Sequence, residues 1–381
     1  MKTIYVDHAA TSPTHPEVVD AMLPYFYENF GNPSSIHQYG RKTRQAIDAA
    51  RTFLAKSIGA AEKEIIFTSG GTEADNLAVI GSALANKEKG QHIITTSIEH
   101  HALLHSCQSL EKQGFEVTYL PVDESGKISL VDLENTIRED TILVSVMYGN
   151  NEVGTLQPIK RIGKLLREKK IAFHTDAVQA YGIEEIDVEE MYIDFLSVSA
   201  HKINGPKGIG FLYASSKQPL QPSLFGGEQE RKRRAGTENL AGIVGLKQAA
   251  EMAIGDRWAK RAEFLAFRKC ILTIFDEHQL EYKINGDESL FLPHILNISF
   301  QGVNVESLLV NLDLAGIAAS SGSACTAGSI KPSHVLAAMF PNQQARIISS
   351  VRFSFGLGNT LEDIETVALE TVKIVRRIKS N

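Results

Sequence analysis

Short apolar runs alternate with longer amphipathic stretches between about residues 64 and 214. Runs of this length, rich in β-branched and aromatic residues, are typical of strands buried in a sheet. The predicted strands are EIIF (64–67), HIITT (92–96), FEVTYL (115–120), TILVSVMY (141–148), IAFHTD (171–176), DFLSVS (194–199) and GIGFLYA (208–214). The predicted helices between some of them cover 72–86, 101–113, 131–139 and 159–170. The alternation predicts an α/β fold with a mostly parallel sheet, in which ligands bind at the carboxyl ends of the strands.

The pattern changes after residue 255. A long helical stretch (258–278) leads to the strand-like runs HILNISF (294–300) and SSVRFSF (349–355), and a last helix begins near residue 360. This order favours a smaller α+β domain. We therefore expect a large domain over 15–255, and a small domain formed by 1–14 together with 256–381.

Composition narrows the class of protein. The chain has 381 residues, 43% of them hydrophobic, and a formal net charge of −6, which argues against a broadly basic surface for nucleic acid. Its cysteines are Cys107, Cys270 and Cys325, too few for a disulfide framework. The N-terminal segment lacks an apolar core of signal-peptide length, and no apolar run is long enough to span a membrane. We expect a soluble cytoplasmic protein.

A lysine follows the end of one predicted strand in SVSAHKINGPKGIGFLY (197–213). Lysine amines form Schiff bases with carbonyl cofactors, and a lysine at a strand end can face a cleft. The alternative is a lysine on a surface turn, because most lysines are exposed. Lys202 is the candidate.

Two further strand ends carry candidate cofactor contacts. In TSGGTEADN (68–76), glycines precede a helix, an arrangement that favours an anion such as phosphate, although an ordinary capped turn fits as well. The glycine spacing is neither that of the P-loop nor that of the dinucleotide fingerprint. In HTDAVQ (174–179), Asp176 could pair with a protonated pyridine nitrogen or could cap a helix. Gln179 could donate to a phenolic oxygen of the same ring.

Histidines cluster in EHHALLHSC (99–107). His101 and His105 share one helical face, with Cys107 nearby, so a zinc site is one reading. Stacking of a histidine on an aromatic cofactor is a second, and partly buried histidines without a ligand are a third.

Cys325 lies in a stretch of small residues, SSGSACTAGSIKPSH (320–334). Such a stretch predicts a loop with little packing, from which a cysteine can reach a substrate. The alternative is an inert buried cysteine. Cys107 and Cys270 lie in amphipathic stretches, where the inert reading is favoured.

Two cationic segments complete the set of candidates. Arg352 lies in an apolar strand-like run, VRFSFGLG (351–358), and a cation there needs a carboxylate partner such as an amino-acid substrate. The segment QERKRRAGTEN (229–239) holds four consecutive cations, 231–234, which are typical of a solvated charge run. The alternative is a phosphate contact by the following Gly-Thr.

Together these segments resemble the NifS/IscS-type cysteine desulfurases, pyridoxal 5′-phosphate (PLP) enzymes of the class V aminotransferase family with the PLP-dependent fold type I. The likeness runs nearly end to end, and SSGSACTAG is similar to the long-loop type. The motifs that carry it are YVDHAATSP, GNPSSIH (31–37), TSGGTEADN, GNNEVG (149–154), HTDAVQ, SVSAHKINGPKG, RAGTEN and SSGSACTAG.

The resemblance implies a role for each matched residue. Lys202 would hold PLP covalently, Asp176 would pair with its pyridine nitrogen, and Gln179 would contact its phenolic oxygen. His100 would stack on the ring and take part in catalysis, and Asn151 would contact ring or substrate. The implied phosphate contacts are Gly71, Thr72, Ser199 and His201, with Thr237 reaching the cofactor of a second subunit in a homodimer. Asn32 and Arg352 would bind the substrate carboxylate.

The implied reaction converts L-cysteine to L-alanine. Cys325 would take the sulfur as a persulfide and pass it to an acceptor protein, either an iron–sulfur scaffold or a tRNA-thiolating enzyme. A selenocysteine lyase or an aminotransferase of the same fold is an alternative. A nucleotide- or zinc-binding regulatory protein is an alternative of another class, against which the missing Walker lysine and missing paired cysteines count.

Overall fold

The computed structural model describes residues 3–321 and 332–380. The strands in these ranges are β1 (Ile4–Tyr5), β2 (Ile65–Thr68), β3 (His92–Thr96), β4 (Glu116–Leu120), β5 (Thr141–Ser145), β6 (Ala172–Asp176), β7 (Phe195–Ser199), β8 (Gly210–Ala214), β9 (Lys283–Asn285), β10 (Ile295–Ser299), β11 (Ile317–Ala318) and β12 (Ser350–Ser354). The helices are α1 (Pro16–Met22), α2 (Pro24–Tyr27), α3 (Gln38–Lys56), α4 (Gly71–Ala85), α5 (His101–Glu111), α6 (Leu130–Thr136), α7 (Ile159–Lys169), α8 (Gln229–Lys232), α9 (Leu240–Gly255), α10 (Arg257–Glu277), α11 (Val305–Leu314), α12 (His334–Met339), α13 (Gln344–Ile347) and α14 (Leu361–Lys379). Among these described helices, none combines the length and the apolar character that crossing a membrane requires.

A seven-stranded sheet forms the centre of the larger region, in the order β2-β8-β7-β6-β5-β3-β4. Neighbouring strands are parallel except at β8, which runs antiparallel to both β2 and β7. The carboxyl ends of the parallel strands therefore lie along one edge. The mostly parallel α/β sheet that the hydrophobic pattern predicts is confirmed.

Both faces of this sheet are covered, which explains why its strands are apolar throughout rather than alternating. Successive residues point to opposite faces: Leu143 of β5 belongs to the hydrophobic cluster that includes residues of α4 and α5, whereas Val144 belongs to the cluster that includes residues of α3, α7 and α9. The sheet is thus held rigidly between two helical layers, and the side chains at its edge are well positioned.

A separate hydrophobic cluster holds the second region together. The antiparallel sheet β12-β10-β9 packs with α10, α11 and α14 around buried residues such as Phe267, Leu296 and Val367. The N-terminal strand β1 pairs in parallel with β11, so residues from the start of the chain join this region. Helices α9 and α10 meet near residue 255; the division of the chain into domains at that point stays a prediction.

The sequence pattern missed the elements before residue 64. Helix α3 spans 19 residues, and its N-cap is His37, whose Nδ1 accepts the backbone N–H of Gly40 over 3.2 Å. Histidine is an unusual cap, and Gly40 within the first turn weakens the helical pattern. Its packing against α9 stabilises α3 through tertiary contacts that the local sequence does not reveal.

Candidate active site

A cavity of about 430 Å3 lies at the carboxyl ends of β6 and β7, beside the start of α4. Asp7 from the N-terminal segment and Arg352 of β12 complete its wall, so both regions contribute. All the predicted cofactor contacts except Thr237 line it, as does Arg352. These residues are Gly71, Thr72, His100, Asn151, Asp176, Gln179, Ser199, His201, Lys202 and Arg352. The strand ends bring the predicted residues together, although their roles stay predictions.

Lys202 occupies a single 3-10 turn, Ala200–Lys202, that directly follows β7. Its Nζ donates to the backbone oxygens of Ala9 (2.5 Å) and Ala10 (2.7 Å). Burial lowers the pKa of the Lys202 amine to about 8, and the nearby Arg352 cation acts in the same direction. A sizeable fraction of such an amine is unprotonated near neutral pH, which is the state that attacks a carbonyl carbon.

Asp176 ends β6 and is buried. Its Oδ1 accepts the Val178 backbone N–H over 2.8 Å. Burial raises the pKa of Asp176 to about 6, while the Val178 N–H and the Lys202 cation favour the ionised carboxylate. A buried carboxylate in need of a cation fits a protonated ring nitrogen.

A second buried carboxyl group, Asp75 on α4, lies beside this site and was missed by the sequence analysis. Burial, reinforced by the charge of Asp176, raises the pKa of Asp75 well above its usual value. Its Oδ1 lies 3.7 Å from Nε2 of His174, whose pKa burial lowers to about 3, so this ring is uncharged. Of the two acids, Asp176 is therefore the one that ionises.

The start of α4 forms an anion cradle. Gly70 precedes the helix with a φ of +147°, a conformation that favours glycine, and no side chain caps the first turn. A Cβ at Gly71 would lie 2.8 Å from a methyl group of Val178, so the backbone approaches closely here. Thr72, Ser199 and His201 also line the cavity, and the side chain of Ser199 lies close to Gly70 and Gly71. Helix dipole and backbone N–H groups favour a phosphate at this place.

His100 is the N-cap of α5, and its Nδ1 accepts the backbone N–H of Ala102 over 3.1 Å. Burial lowers the pKa of His100 to about 4, and the positive charge of Lys202 lowers it in addition. The ring is neutral and carries its proton on Nε2, because Nδ1 acts as the acceptor. This tautomer offers one N–H donor.

Arg352 is held by two contacts although its side chain is almost fully buried. Its Nη2 pairs with Oδ1 of Asp7 over 2.7 Å, and its Nη1 donates to the backbone oxygen of Asn151 over 2.8 Å. Its Nε has no hydrogen-bond partner within the described residues. The guanidinium is thus fixed in the cavity wall, and each of its Nη atoms keeps one N–H beyond these contacts for a ligand.

Two of the predicted residues that the structure describes, Asn32 and Thr237, do not line this cavity. Asn32 and Thr237 are exposed, and Oδ1 of Asn32 accepts the Ser34 N–H in a local turn. Cys325 lies outside the described residues. The structure therefore tests none of these three roles.

The described residues do not support a zinc site, and they show that the charge run 231–234 is only partly solvated. Within 3–321 and 332–380, no group of histidine, cysteine and acidic side chains is suited to hold a metal ion, and Cys107 is packed in the core. The charge run is only half solvated: Arg231 is exposed, whereas Arg234 pairs with Glu73 over 2.7 Å and Arg233 donates to the backbone oxygen of Lys63.

The residues present fit PLP. The amine of Lys202 with its lowered pKa matches an aldehyde, the buried carboxylate of Asp176 matches a pyridine nitrogen, and the glycine-lined start of α4 matches a phosphate. The signals that could have found Asp7 and Asp75 are weak, because each depends on contacts between distant parts of the chain.

The family model described as aminotransferase class-V matches residues 4–367. A Bacillus subtilis (strain 168) protein named putative cysteine desulfurase IscS 1 is 58% identical over 378 residues, which cover 99% of this chain and all of the relative. A solved structure called NIFS-like protein is 33% identical with a TM-score of 0.92, covering 98% of this chain and 100% of its own. A structure of SspA in complex with cysteine is 38% identical with a TM-score of 0.82, covering 93% and 99%. A family match over nearly the whole length, on a chain whose strand ends assemble such a cavity, means that this protein is a member of the aminotransferase class-V family.

Proposed function

We propose that the protein is a PLP-dependent cysteine desulfurase that converts L-cysteine to L-alanine and passes the sulfur on through Cys325. The observation that carries the proposal is the joint presence, in one cavity, of Lys202, Asp176 and the start of α4. Two of the three similar proteins named above support the choice of substrate, since one is named a putative cysteine desulfurase and the other was solved with cysteine.

The chain's own residues would hold the cofactor at three points. Lys202 binds its aldehyde carbon, Asp176 its pyridine nitrogen, and the first turn of α4 with Ser199 and His201 its phosphate. When bound, PLP supplies an electron sink for the amino-acid carbons. Asp176 keeps the ring nitrogen protonated, because the buried carboxylate is stabilised by a cation beside it.

Three residues act on the substrate. Arg352 binds the carboxylate of L-cysteine with the donor capacity left after its contacts to Asp7 and Asn151. Once the amine of L-cysteine has taken its place on the cofactor, the freed Lys202 amine, whose pKa burial lowers to about 8, would remove the proton from Cα and return one. His100 packs on the cofactor ring, and its Nε2–H lies available to donate to a group in the cavity.

Sulfur transfer needs the thiolate of Cys325. The thiolate attacks the substrate sulfur, so that an S–S bond forms and the Cβ–S bond breaks. The electron pair of the broken bond stays with the three-carbon fragment, which takes up protons and leaves as alanine. The persulfide then passes its outer sulfur to an acceptor protein, an iron–sulfur scaffold or a tRNA-thiolating enzyme, in the cytoplasm.

We also infer a homodimer. Arg44 connects the segment that contains Asn32 with the segment that contains Thr237. Its Nε donates to the backbone oxygen of Pro33 (3.3 Å), and its Nη2 pairs with Glu238 (3.1 Å). Asn32 and Thr237 therefore lie on one face. Large exposed apolar side chains occur in the segments nearby, namely Phe26, Tyr27, Phe30, Ile36, Tyr39 and Phe225. A second copy would cover such a surface and bring Asn32 and Thr237 to its own cavity; sedimentation velocity of the purified chain measures the dimer.

The substitution Cys325→Ser tests the proposed reaction. The variant should bind PLP with the wild-type absorbance, because no predicted cofactor contact changes, yet it should form neither persulfide nor alanine from L-cysteine. An aminotransferase of this fold needs no thiol at this position. Alanine production at the wild-type rate by the variant would therefore favour the aminotransferase reading and refute the role of Cys325.

A further inference from the structure

The backbone carbonyl of Ala9 favours one of the two orientations of the Gln179 side-chain amide. The Ala9 oxygen lies 3.0 Å from the amide nitrogen, Nε2, of Gln179. A carbonyl oxygen can only accept a hydrogen bond, so the NH2 end of the amide must face it. The Oε1 end of Gln179 therefore faces the other way.

His294 contacts that other end. Its Nε2 lies 3.3 Å from Oε1 of Gln179. Because Oε1 can only accept, Nε2 of His294 must carry the proton. Nδ1 of His294 has no hydrogen-bond partner within the described residues, so the Gln179 contact alone selects the tautomer.

The His294 ring is neutral and enclosed. The residue is 7% exposed, and burial lowers its pKa to about 3. The charged and titratable groups that act on it are His8, Lys202 and Arg352, and all three lower the pKa further. A neutral ring with one proton, placed on Nε2, is thus the stable form at physiological pH.

Gln179 stands between two cavities. On the side of His294 and His8, a cavity of about 220 Å3 is lined by both histidines, by Gln179 and by Lys202. Gln179 and Lys202 also line the active-site cavity. With one amide proton bonded to Ala9 and Oε1 bonded to His294, Gln179 has one N–H left to offer.

We propose that His294 is a positioning residue that holds Gln179 so that an N–H, rather than the carbonyl oxygen, is presented to the ring oxygen of PLP. The inference rests on the proposed function, since that function supplies the cofactor. An N–H donor stabilises negative charge on the ring oxygen, whereas a flipped amide would set oxygen against oxygen. His294 acts only through Gln179 and touches neither cofactor nor substrate.

Absorbance of the bound cofactor as a function of pH, in the full-length holoenzyme without substrate, tests the proposal. His294→Asn keeps a polar side chain, but its amide nitrogen reaches only the position of Nδ1. Loss of the donor should raise the pH midpoint of the absorbance change by about 0.5 to 1 pH unit, because a donor to the ring oxygen favours the deprotonated form. His294→Gln places an amide nitrogen at the position of Nε2 and should restore the wild-type midpoint.

His8→Asn is the matched control. His8 is also a buried histidine in the wall of the side cavity, but within the described residues neither of its ring nitrogens bonds to Gln179. The pH midpoint of the absorbance change in His8→Asn should equal that of the wild type. Equal midpoints for His294→Asn and wild type, or equal shifts for the two asparagine variants, would overturn the role of His294. His294→Leu, which also lacks the donor, replaces His294→Asn if the latter does not fold.

A wild-type protein that shows no cofactor absorbance would instead contradict the proposed function, so the two failures are distinguishable. As a further check, Gln179→Leu should raise the midpoint at least as much as His294→Asn. Combining the two substitutions should then add nothing to the effect of Gln179→Leu, because His294 acts through Gln179. Additive shifts would contradict the proposal.

Discussion

The two walls of the active-site cavity control charge in different ways. The wall formed by the large sheet carries Lys202 and Asp176, whose pKa values burial shifts toward neutrality, to about 8 and about 6. The wall formed by β12 and the N-terminal segment carries Arg352, which is fixed by Asp7 and by a backbone oxygen. Groups that titrate near neutral pH suit proton transfer, whereas a permanently charged, anchored cation suits carboxylate binding. Burial is common to both walls, so the contacts to Asp7 and to the Asn151 backbone oxygen are what distinguish the anchored cation from the groups that titrate near neutral pH.

The largest effect on turnover is expected when Asp176, the acid in the wall formed by the large sheet, is neutralised. Asp176→Asn should lower kcat about 10²- to 10³-fold, because an amide no longer stabilises positive charge at the ring nitrogen. Steady-state alanine production measures the loss.

Asp75→Asn is the matched control for that substitution. Burial raises the pKa of Asp75 and so favours its protonated form, and a protonated carboxyl group and an amide have nearly the same shape and charge. The variant should keep kcat within about threefold of wild type, since a substitution that leaves contacts intact costs little. Equal losses for the two variants would contradict the assignment of the charge to Asp176.

A smaller effect is expected at the second wall. Arg352→Gln should raise KM for L-cysteine about 10- to 100-fold, which corresponds to one charge-assisted hydrogen-bond contact. The fall in kcat should be smaller than the rise in KM, because Arg352 acts in binding. Arg268→Gln is the control: Arg268 is also buried and donates to a backbone oxygen, that of Ile295, but it does not line the cavity. A lowered kcat with unchanged KM in Arg352→Gln would count against a role in substrate binding.

The smallest expected effect concerns stability rather than turnover. Burial raises the pKa of Glu99, next to His100, to about 8. Between the usual carboxyl pKa and about 8, the folded chain holds a proton on Glu99 that the unfolded chain has released, so this residue makes stability fall as pH rises. Glu99→Gln should therefore flatten the decline of the urea midpoint over that interval. Parallel midpoint curves for the variant and the wild type would show that Glu99 does not titrate in this way.

Much of the fold was predictable because the strands of a covered parallel sheet are short and apolar. HIITT matches β3 at both ends, and Asp176 and Lys202 were found because they lie at or just after strand ends. The cradle at α4 was predictable from its glycines, which precede a helix.

The remaining parts of the site depend on contacts between distant residues. His294 is 115 positions from Gln179, and Asp7 is 345 positions from Arg352, so no local pattern links them. Asp75 lies within an apolar helical stretch, where its only signal is a polar residue on a buried face. Asn32 and Thr237 lie on the face that we assign to a second copy, so the roles proposed for them depend on a second chain.

The central claim is that Lys202 holds the cofactor. Borohydride reduction of the purified wild-type protein, followed by protease digestion and mass spectrometry, locates the lysine that carries the reduced cofactor. The cofactor mass should appear on the peptide that contains Lys202, and it should be absent from that peptide in Lys202→Ala. Attachment to another lysine, or a wild-type protein that carries no reducible cofactor after purification with PLP, would contradict the claim.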